Sequence, residues 1–148
     1  YTYSHREVLT NYAHYGQPLA HPWGSNFQEG ILQLIYTHKR WEAELRFHYG
    51  VMGLDGAGED WGMDVYKSYN DRQQDLDNRI GQGKTSTYTY LRLRGAWVVN
   101  PMSGLKVEAG MNLRNLRQDV ATTPFSSGEF SYFFVGLRTE FFNSYYDF

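Results

Sequence analysis

The chain has 148 residues, a formal net charge of -2 and a pI near 6.2, so its electrostatics give no reason to expect nucleic acid as a partner. It holds no cysteine, which excludes a disulfide framework and thiolate metal sites. No stretch approaches the roughly 20 apolar residues of a membrane-spanning helix. A mean hydropathy of -0.61 does not exclude a membrane barrel, whose strands are only half apolar. Aromatic residues make up 18% of the chain, a load that needs either a large core or an aromatic surface.

Taken in order, Tyr1–Thr10 reads as a poorly patterned first strand. Its adjacent Ser4 and His5 would point to opposite faces and could not act as a nucleophile and base. Tyr12 to Asn26 is a connecting loop. FQEGILQLIYT is a second strand, with Leu32, Leu34 and Tyr36 on one face and Gln33 on the other. After only THKR comes WEAELRFHYGV, the clearest strand. There Trp41, Ala43, Leu45, Phe47, Tyr49 and Val51 alternate with Glu42, Glu44, Arg46 and His48.

Met52 to Thr85 is a long polar loop, expected to be extracellular. In TYTYLRLRGAWVV, Thr89, Leu91, Leu93, Trp97 and Val99 lie opposite Tyr88, Tyr90, Arg92 and Arg94. The short NPMSG leads to LKVEAGMNLR, where Leu105, Val107, Ala109, Met111 and Leu113 oppose Lys106, Glu108, Asn112 and Arg114. A medium loop, Leu116 to Gly128, precedes YFFVGLRTEF, where Phe133, Val135, Leu137 and Phe141 oppose Gly136, Arg138 and Glu140. No segment has a helical period.

These alternating runs exceed the about 5–6 residues of globular strands and match the about 9–11 of a tilted membrane strand. Short and long connections also alternate strictly, as in up-and-down outer-membrane barrels. The fold expected is therefore all-β: an antiparallel, up-and-down outer-membrane β-barrel spanning residues 1–148, with about six strands of a larger barrel whose others precede Tyr1. Six strands cannot close, and an open edge in lipid leaves backbone groups unpaired. The C-terminus is placed in the periplasm.

On this expectation Trp41, Trp97 and Phe141 form an aromatic girdle at the periplasmic rim. Glu42, Glu44, Arg46, His48, Arg92, Arg94, Lys106, Glu108, Arg114, Arg138 and Glu140 form a charged lattice lining the lumen. Opposite charges on neighbouring strands favour one register. The ending FFNSYYDF, with Tyr146 and Phe148, is similar to the aromatic terminal signal read by barrel-assembly machinery. Its aromatics fall on even positions, so a bulge near Phe141–Asn143 is required to restore parity. A soluble β-sandwich binding module is the alternative if the apolar faces pack on each other.

The segment NYAHYGQPLAHPWGSNF is the least generic. Its His14, Tyr15, Gln17, Pro18, Leu19, His21 and Pro22 make an HYxQPLxHP-type element, and on these residues the chain resembles the Wzi-like capsule-assembly family of outer-membrane barrels, including gliding-motility-associated relatives. The resemblance implies a large barrel, no enzymatic activity, no cofactor, and a role in holding or organising surface polysaccharide, within the outer-membrane lipid and alongside other envelope proteins. The alternative is a transport pore or a structural subunit of secretion or gliding-motility machinery.

Read chemically, His14, Tyr15, Gln17, His21 and Trp23 are candidate glycan contacts. Amides and imidazoles bond sugar hydroxyls, and aromatic faces stack on sugar C–H faces. The competing reading is a rigid loop, with φ fixed by Pro18 and Pro22 and histidines capping its backbone carbonyls. His14 and His21 lack helical spacing and a nearby thiolate for a metal site. Asp55, Glu59, Asp60 and Asp64 form an acidic Gly-rich run without the spacing of an EF-hand, and no phosphate loop is present. Glu42, Glu44 and Glu108 suit the lumen lattice better than an acid–base pair, and no catalytic residue is assigned.

Overall fold

A two-residue link between alternating segments leaves the chain no choice but to fold back on itself as an antiparallel hairpin. The computed structural model, which describes residues 2–118 and 128–139, contains such a link at Lys39–Arg40 and another at Tyr15–Gly16. Its strands are β1 (Ala13–His14), β2 (Gln17–Pro18), β3 (Phe27–His38), β4 (Trp41–Leu54), β5 (Lys84–Asn100), β6 (Leu105–Gln118) and β7 (Gly128–Arg138). The chain is all-β with antiparallel sheets. β1 and β2 form one sheet, and β3 to β7 form a second in sequence order, β3-β4-β5-β6-β7. The described residues do not close it into a barrel.

The expected first strand is corrected. Residues 2–10 form no strand, and Val8–Thr10 makes a 3-10 turn instead. The His5 ring explains the difference: its Nδ1 accepts the Glu7 N–H at 3.1 Å and lies 2.5 Å from Thr10 Oγ1. Thr10 Oγ1 also donates to the Glu7 carbonyl. Such local bonds offer the backbone an alternative to a ladder. The loop expected over Tyr12–Asn26 itself contains the β1–β2 hairpin, and the long connection narrows to 55–83 because β4 and β5 extend into it. Glu140, Phe141, Tyr146 and Phe148, and the bulge expected near Phe141–Asn143, lie outside the described residues, as do 119–127.

The chain divides into two compact units, one of Tyr1–Gly30, His48–Thr89 and Asn115–Glu129, the other of Ile31–Phe47, Tyr90–Arg114 and Phe130–Phe148. In the second unit the ordinary burial order is inverted. Trp41 is 62% exposed and Val135 81%, while the Arg94 side chain, between them in strand order, is 16% exposed. Leu34, Ala43, Leu93, Gly95, Ala109 and Phe133 line an open apolar hollow of about 700 Å³. β3 departs from the expected alternation, since Ile31 and Ile35 beside Gln33 are as exposed as Leu32 and Leu34. This edge strand is thus apolar on both faces.

The first unit is held by loop-to-strand hydrogen bonds. Asn26 sits at a left-handed φ of 63° just before β3. Its Nδ2 donates to the carbonyls of Gly53 (3.1 Å) and Gln82 (2.9 Å), its Oδ1 accepts from Gly81 N–H (2.9 Å), and its own carbonyl accepts from Gly53 N–H (3.0 Å). One short side chain thus ties the start of β3 to both ends of the long loop. Gln82 continues the network, donating to Trp61 O and Asn78 Oδ1 and accepting from Arg79 N–H.

The approach at Gly53 is close enough to test. A Cβ there would lie 1.9 Å from Gln82 O and 2.4 Å from Asn26 Nδ2, whereas one on Gly95 meets nothing within 4 Å. Gly53→Ala is expected to cost roughly 1–3 kcal/mol and to speed amide exchange across 55–83. Gly95→Ala should leave exchange unchanged. Equal behaviour of the two variants would remove the Asn26 knot as the loop's anchor.

Candidate functional site

The HYGQ element folds locally because Tyr15 and Gly16 both take positive φ, 49° and 71°. Positive φ at both central residues is the requirement of a type I′ turn, which Gly meets without a Cβ penalty. His14 pairs with Gln17 and Ala13 with Pro18 across it. Tyr15 stands 94% exposed at the tip, with its ring edge-on to His14 at 4.3 Å. His14, Tyr15 and Gln17 therefore share one exposed hairpin.

His21 and Trp23 go elsewhere. The Trp23 N–H donates to His21 Nδ1 at 3.1 Å, which makes that nitrogen the unprotonated one. His21 Nε2 then carries the hydrogen and donates to Glu29 Oε1 at 2.9 Å. His48 Nε2 meets the other oxygen, Oε2, at 2.8 Å. A single carboxylate on β3 thus holds one imidazole from the Pro-bounded segment and one from β4. His21 caps a backbone N–H, not the carbonyl expected from the sequence. The lone pair that a metal would need on His21 Nε2 is occupied by a proton, and among the described residues no three His, Asp or Glu converge as a metal centre.

Trp23 lies over this group. Its ring stacks on His48 at 5.3 Å and 7°, edge-on to Tyr88 at 5.7 Å and to Phe27 at 5.7 Å. Gly50 makes the contact possible, since a Cβ there would lie 2.5 Å from the indole. His48, Gly50 and Tyr88 are even-numbered strand positions, the set that carries the charges in β4 and β5. Beside the segment, Ser25 donates to the Gly62 carbonyl and its N–H bonds Met63 O at 3.2 Å.

The acidic run of the long loop is divided among separate tasks. Asp55 pairs with Lys67 at 2.9 Å and accepts the Trp61 N–H at 2.8 Å. Glu59 accepts the Trp61 indole N–H, and Asp64 accepts the Tyr66 N–H. Asp60, buried, accepts the Gly62 N–H. Desolvation pushes the Asp60 carboxyl above its ordinary value, although that hydrogen bond opposes the shift. Burial pulls Lys67 down, but the Asp55 hydrogen bond and surrounding carboxylates outweigh it, so Lys67 lies above its ordinary range.

In the second unit the charges expected to form a lattice meet around Arg94. It reaches Glu44 at 3.2 Å, Glu108 at 3.2 Å and Glu42 at 4.0 Å, and Lys106 joins Glu42 at 2.7 Å. Arg46 touches Glu44 at 3.9 Å, while His48 pairs with Glu29 instead. Arg92 is half-buried, and Arg114 and Arg138 are exposed. Tyr90 donates to buried Asn112 at 2.7 Å. Trp41 and Trp97 lie 6.3 Å apart, both exposed.

Glu29, Asn26, Ser25 and Gly50 were not among the candidate residues. The only signal for Asn26 was a small turn-forming residue ahead of an alternating run. Glu29 offered a carboxylate eight residues from His21, with no spacing rule to join them. Comparison of the chain with protein-family models, curated proteins and solved structures gives no match.

Two outcomes follow. Glu29→Gln puts an NH2 against an imidazole N–H, and His21 cannot change tautomer without losing Trp23 N–H. A loss of about 1–3 kcal/mol and a shifted Trp23 emission are expected; unchanged stability and emission would argue against the bridge. For Asp60, the folded-state value lies above the unfolded one, so its protonated form favours the fold below pH 3.8 and that contribution is lost as pH rises through the folded-state value. Asp60→Asn should therefore raise the melting temperature at pH 7, the gain vanishing below pH 3.8. A gain that persists in acid would contradict desolvation as its cause.

Proposed function

We propose that this chain is part of an outer-membrane β-barrel that binds or organises surface polysaccharide without enzymatic chemistry. The observation that carries the membrane part is the inverted burial of the strands. Large apolar side chains such as Trp41, Phe133, Val135 and Leu137 face outward, while Arg94 and its carboxylates are largely withdrawn. In water that arrangement exposes the wrong face; against lipid it is the favourable one. Strands of 11 to 17 residues are long enough to cross. Trp41 and Trp97 have the position of interfacial aromatics.

Within this reading the β3 to β7 sheet is continued by further strands, because an open edge in lipid leaves backbone groups unpaired. Trp23, seated on His48 and Gly50, lies on the lumen side, and the HYGQ hairpin presents His14, Tyr15 and Gln17 to solvent. Glycan contact is thereby assigned to the hairpin tip, and His21 is a positioning residue for Trp23. The resemblance to Wzi-like capsule-assembly proteins supports the same conclusion.

The full-length protein should fractionate with outer membranes and need detergent for extraction. His14→Ala combined with Gln17→Ala should weaken binding of the host's purified capsular polysaccharide about tenfold, at unchanged melting temperature. Extraction by salt alone would overturn the membrane assignment. Undiminished polysaccharide binding by the double variant would overturn the hairpin as the contact.

A further inference from the structure

The charged face of the second unit also carries aromatic rings. A Cβ on Gly110 would lie 2.7 Å from the Phe134 ring, which puts Phe134 on the side of β6 that bears Glu108 and Asn112. Alternation then places Phe130 and Tyr132 on that side as well. The three rings follow one another along β7, 5.5 Å and 6.2 Å apart, steps comparable with the length of one pyranose ring. Phe130 is 59% exposed and Tyr132 45%, while Phe134 is half-buried. Lipid accounts for Phe133, Val135 and Leu137 on the opposite face, but not for this row. A further strand paired to β7 would lie beside the row and not over it.

Next to the rings the same face gathers positive charge. Arg94 meets Glu108 and Tyr90 meets Asn112, so Arg92 between them lies opposite Gly110, where β6 places no side chain between Arg92 and Phe134. On the other flank the Val98 N–H bonds Arg40 O and Arg94 meets Glu44, so Arg92 lies opposite Arg46. Like charges directly opposite one another are unfavourable. The nearby carboxylates relieve this only in part. Glu44 and Glu108 both meet Arg94 at 3.2 Å, Arg46 reaches Glu44 at 3.9 Å, and Glu42 lies closest to Lys106 at 2.7 Å. Three guanidiniums thus share two carboxylates. The Nε atoms of Arg46 and Arg92 are buried without a hydrogen bond, but the Arg46 side chain is 43% exposed, so the guanidinium tip is where an anion can approach.

We infer that this face is a track for an acidic polysaccharide. The C–H faces of successive sugars stack on Phe130, Tyr132 and Phe134, and a uronic-acid carboxylate is held by Arg46 and Arg92. A guanidinium can give a carboxylate two parallel N–H bonds, and an anion shared by both arginines removes their repulsion. β5 and β7 stand two strand spacings apart, about 10 Å, a gap that a pyranose with its exocyclic carboxylate spans. The inference rests on the polysaccharide reading and adds the charge class of the polymer and a contact surface apart from the hairpin tip.

Calorimetric titration of the full-length protein in detergent tests it, with a galacturonate oligomer, a maltooligosaccharide of equal length and the capsular polymer as probes. The galacturonate oligomer should bind saturably and roughly tenfold more tightly than the neutral one, with an affinity that falls as salt is raised. Arg46→Gln combined with Arg92→Gln should abolish that preference. Phe130→Ala combined with Tyr132→Ala should weaken galacturonate binding about tenfold at unchanged melting temperature, because both rings are exposed. Leu137→Ala, on the opposite face, should leave binding unchanged. A preference that survives the arginine variant, or binding undiminished by the aromatic one, overturns the track. Capsular polymer bound without galacturonate binding overturns the track and leaves the polysaccharide reading standing, whereas loss of both overturns the two together.

Discussion

Successive side chains of a strand must point to opposite faces, and in this chain that rule couples a charged face to an apolar one. Arg94 lies among Glu42, Glu44 and Glu108, and its neighbours Leu93 and Gly95 are forced to the other side. The same constraint links Lys106 to Val107 and Glu108 to Ala109. Once the charges are gathered on one face, the apolar face is defined by exclusion, and its character is set by what surrounds the sheet. Pairing largely withdrawn charges offsets part of their desolvation cost, but removing one partner would leave the others exposed to the full penalty. The arrangement is favourable where the opposite face gains as much from its own surroundings, which supports the lipid environment proposed above.

The first unit solves a different problem. Its loops lack regular secondary structure, so their backbone groups need other partners. The Asn26 side chain supplies three of them, at Gly53, Gly81 and Gln82, and the Glu29 carboxylate separately gathers the His21 and His48 rings. Both lie at the start of β3, where the Pro-bounded segment enters the sheet. Trp23 stacks on His48 and its N–H bonds His21, the two rings that Glu29 holds. The histidines that look most like functional groups in the sequence divide accordingly, with His14 exposed on a hairpin and His21 committed to holding an indole.

Strand identity was largely legible because period two persists over whole elements, as in Trp41 to Val51, and because the links beside β3–β4 and β5–β6 are short. The failures have local causes. Tyr1–Thr10 looked extended until His5, Glu7 and Thr10 bonded one another. The HYGQ turn was legible in principle from a Gly in the second central position, yet the prolines after it suggested only an irregular loop. Side-chain partners such as Glu29 for His21 and His48 depend on how β3 and β4 align, and no spacing within one segment encodes that.

Gly50 shows how the two kinds of information meet. As an interruption of the alternating run that began at Trp41, it reads as a weak point in a strand. In the fold it is the position that admits the Trp23 ring, with a Cβ excluded by 2.5 Å. The missing side chain on β4 and the large one on the incoming segment are a single steric unit, and the His48–Glu29–His21 bridge fixes the depth at which they meet. The charged set of β4 stops there, replaced by an aromatic cover. This substitution of ring for charge ends the lattice row toward the Leu54 end of β4.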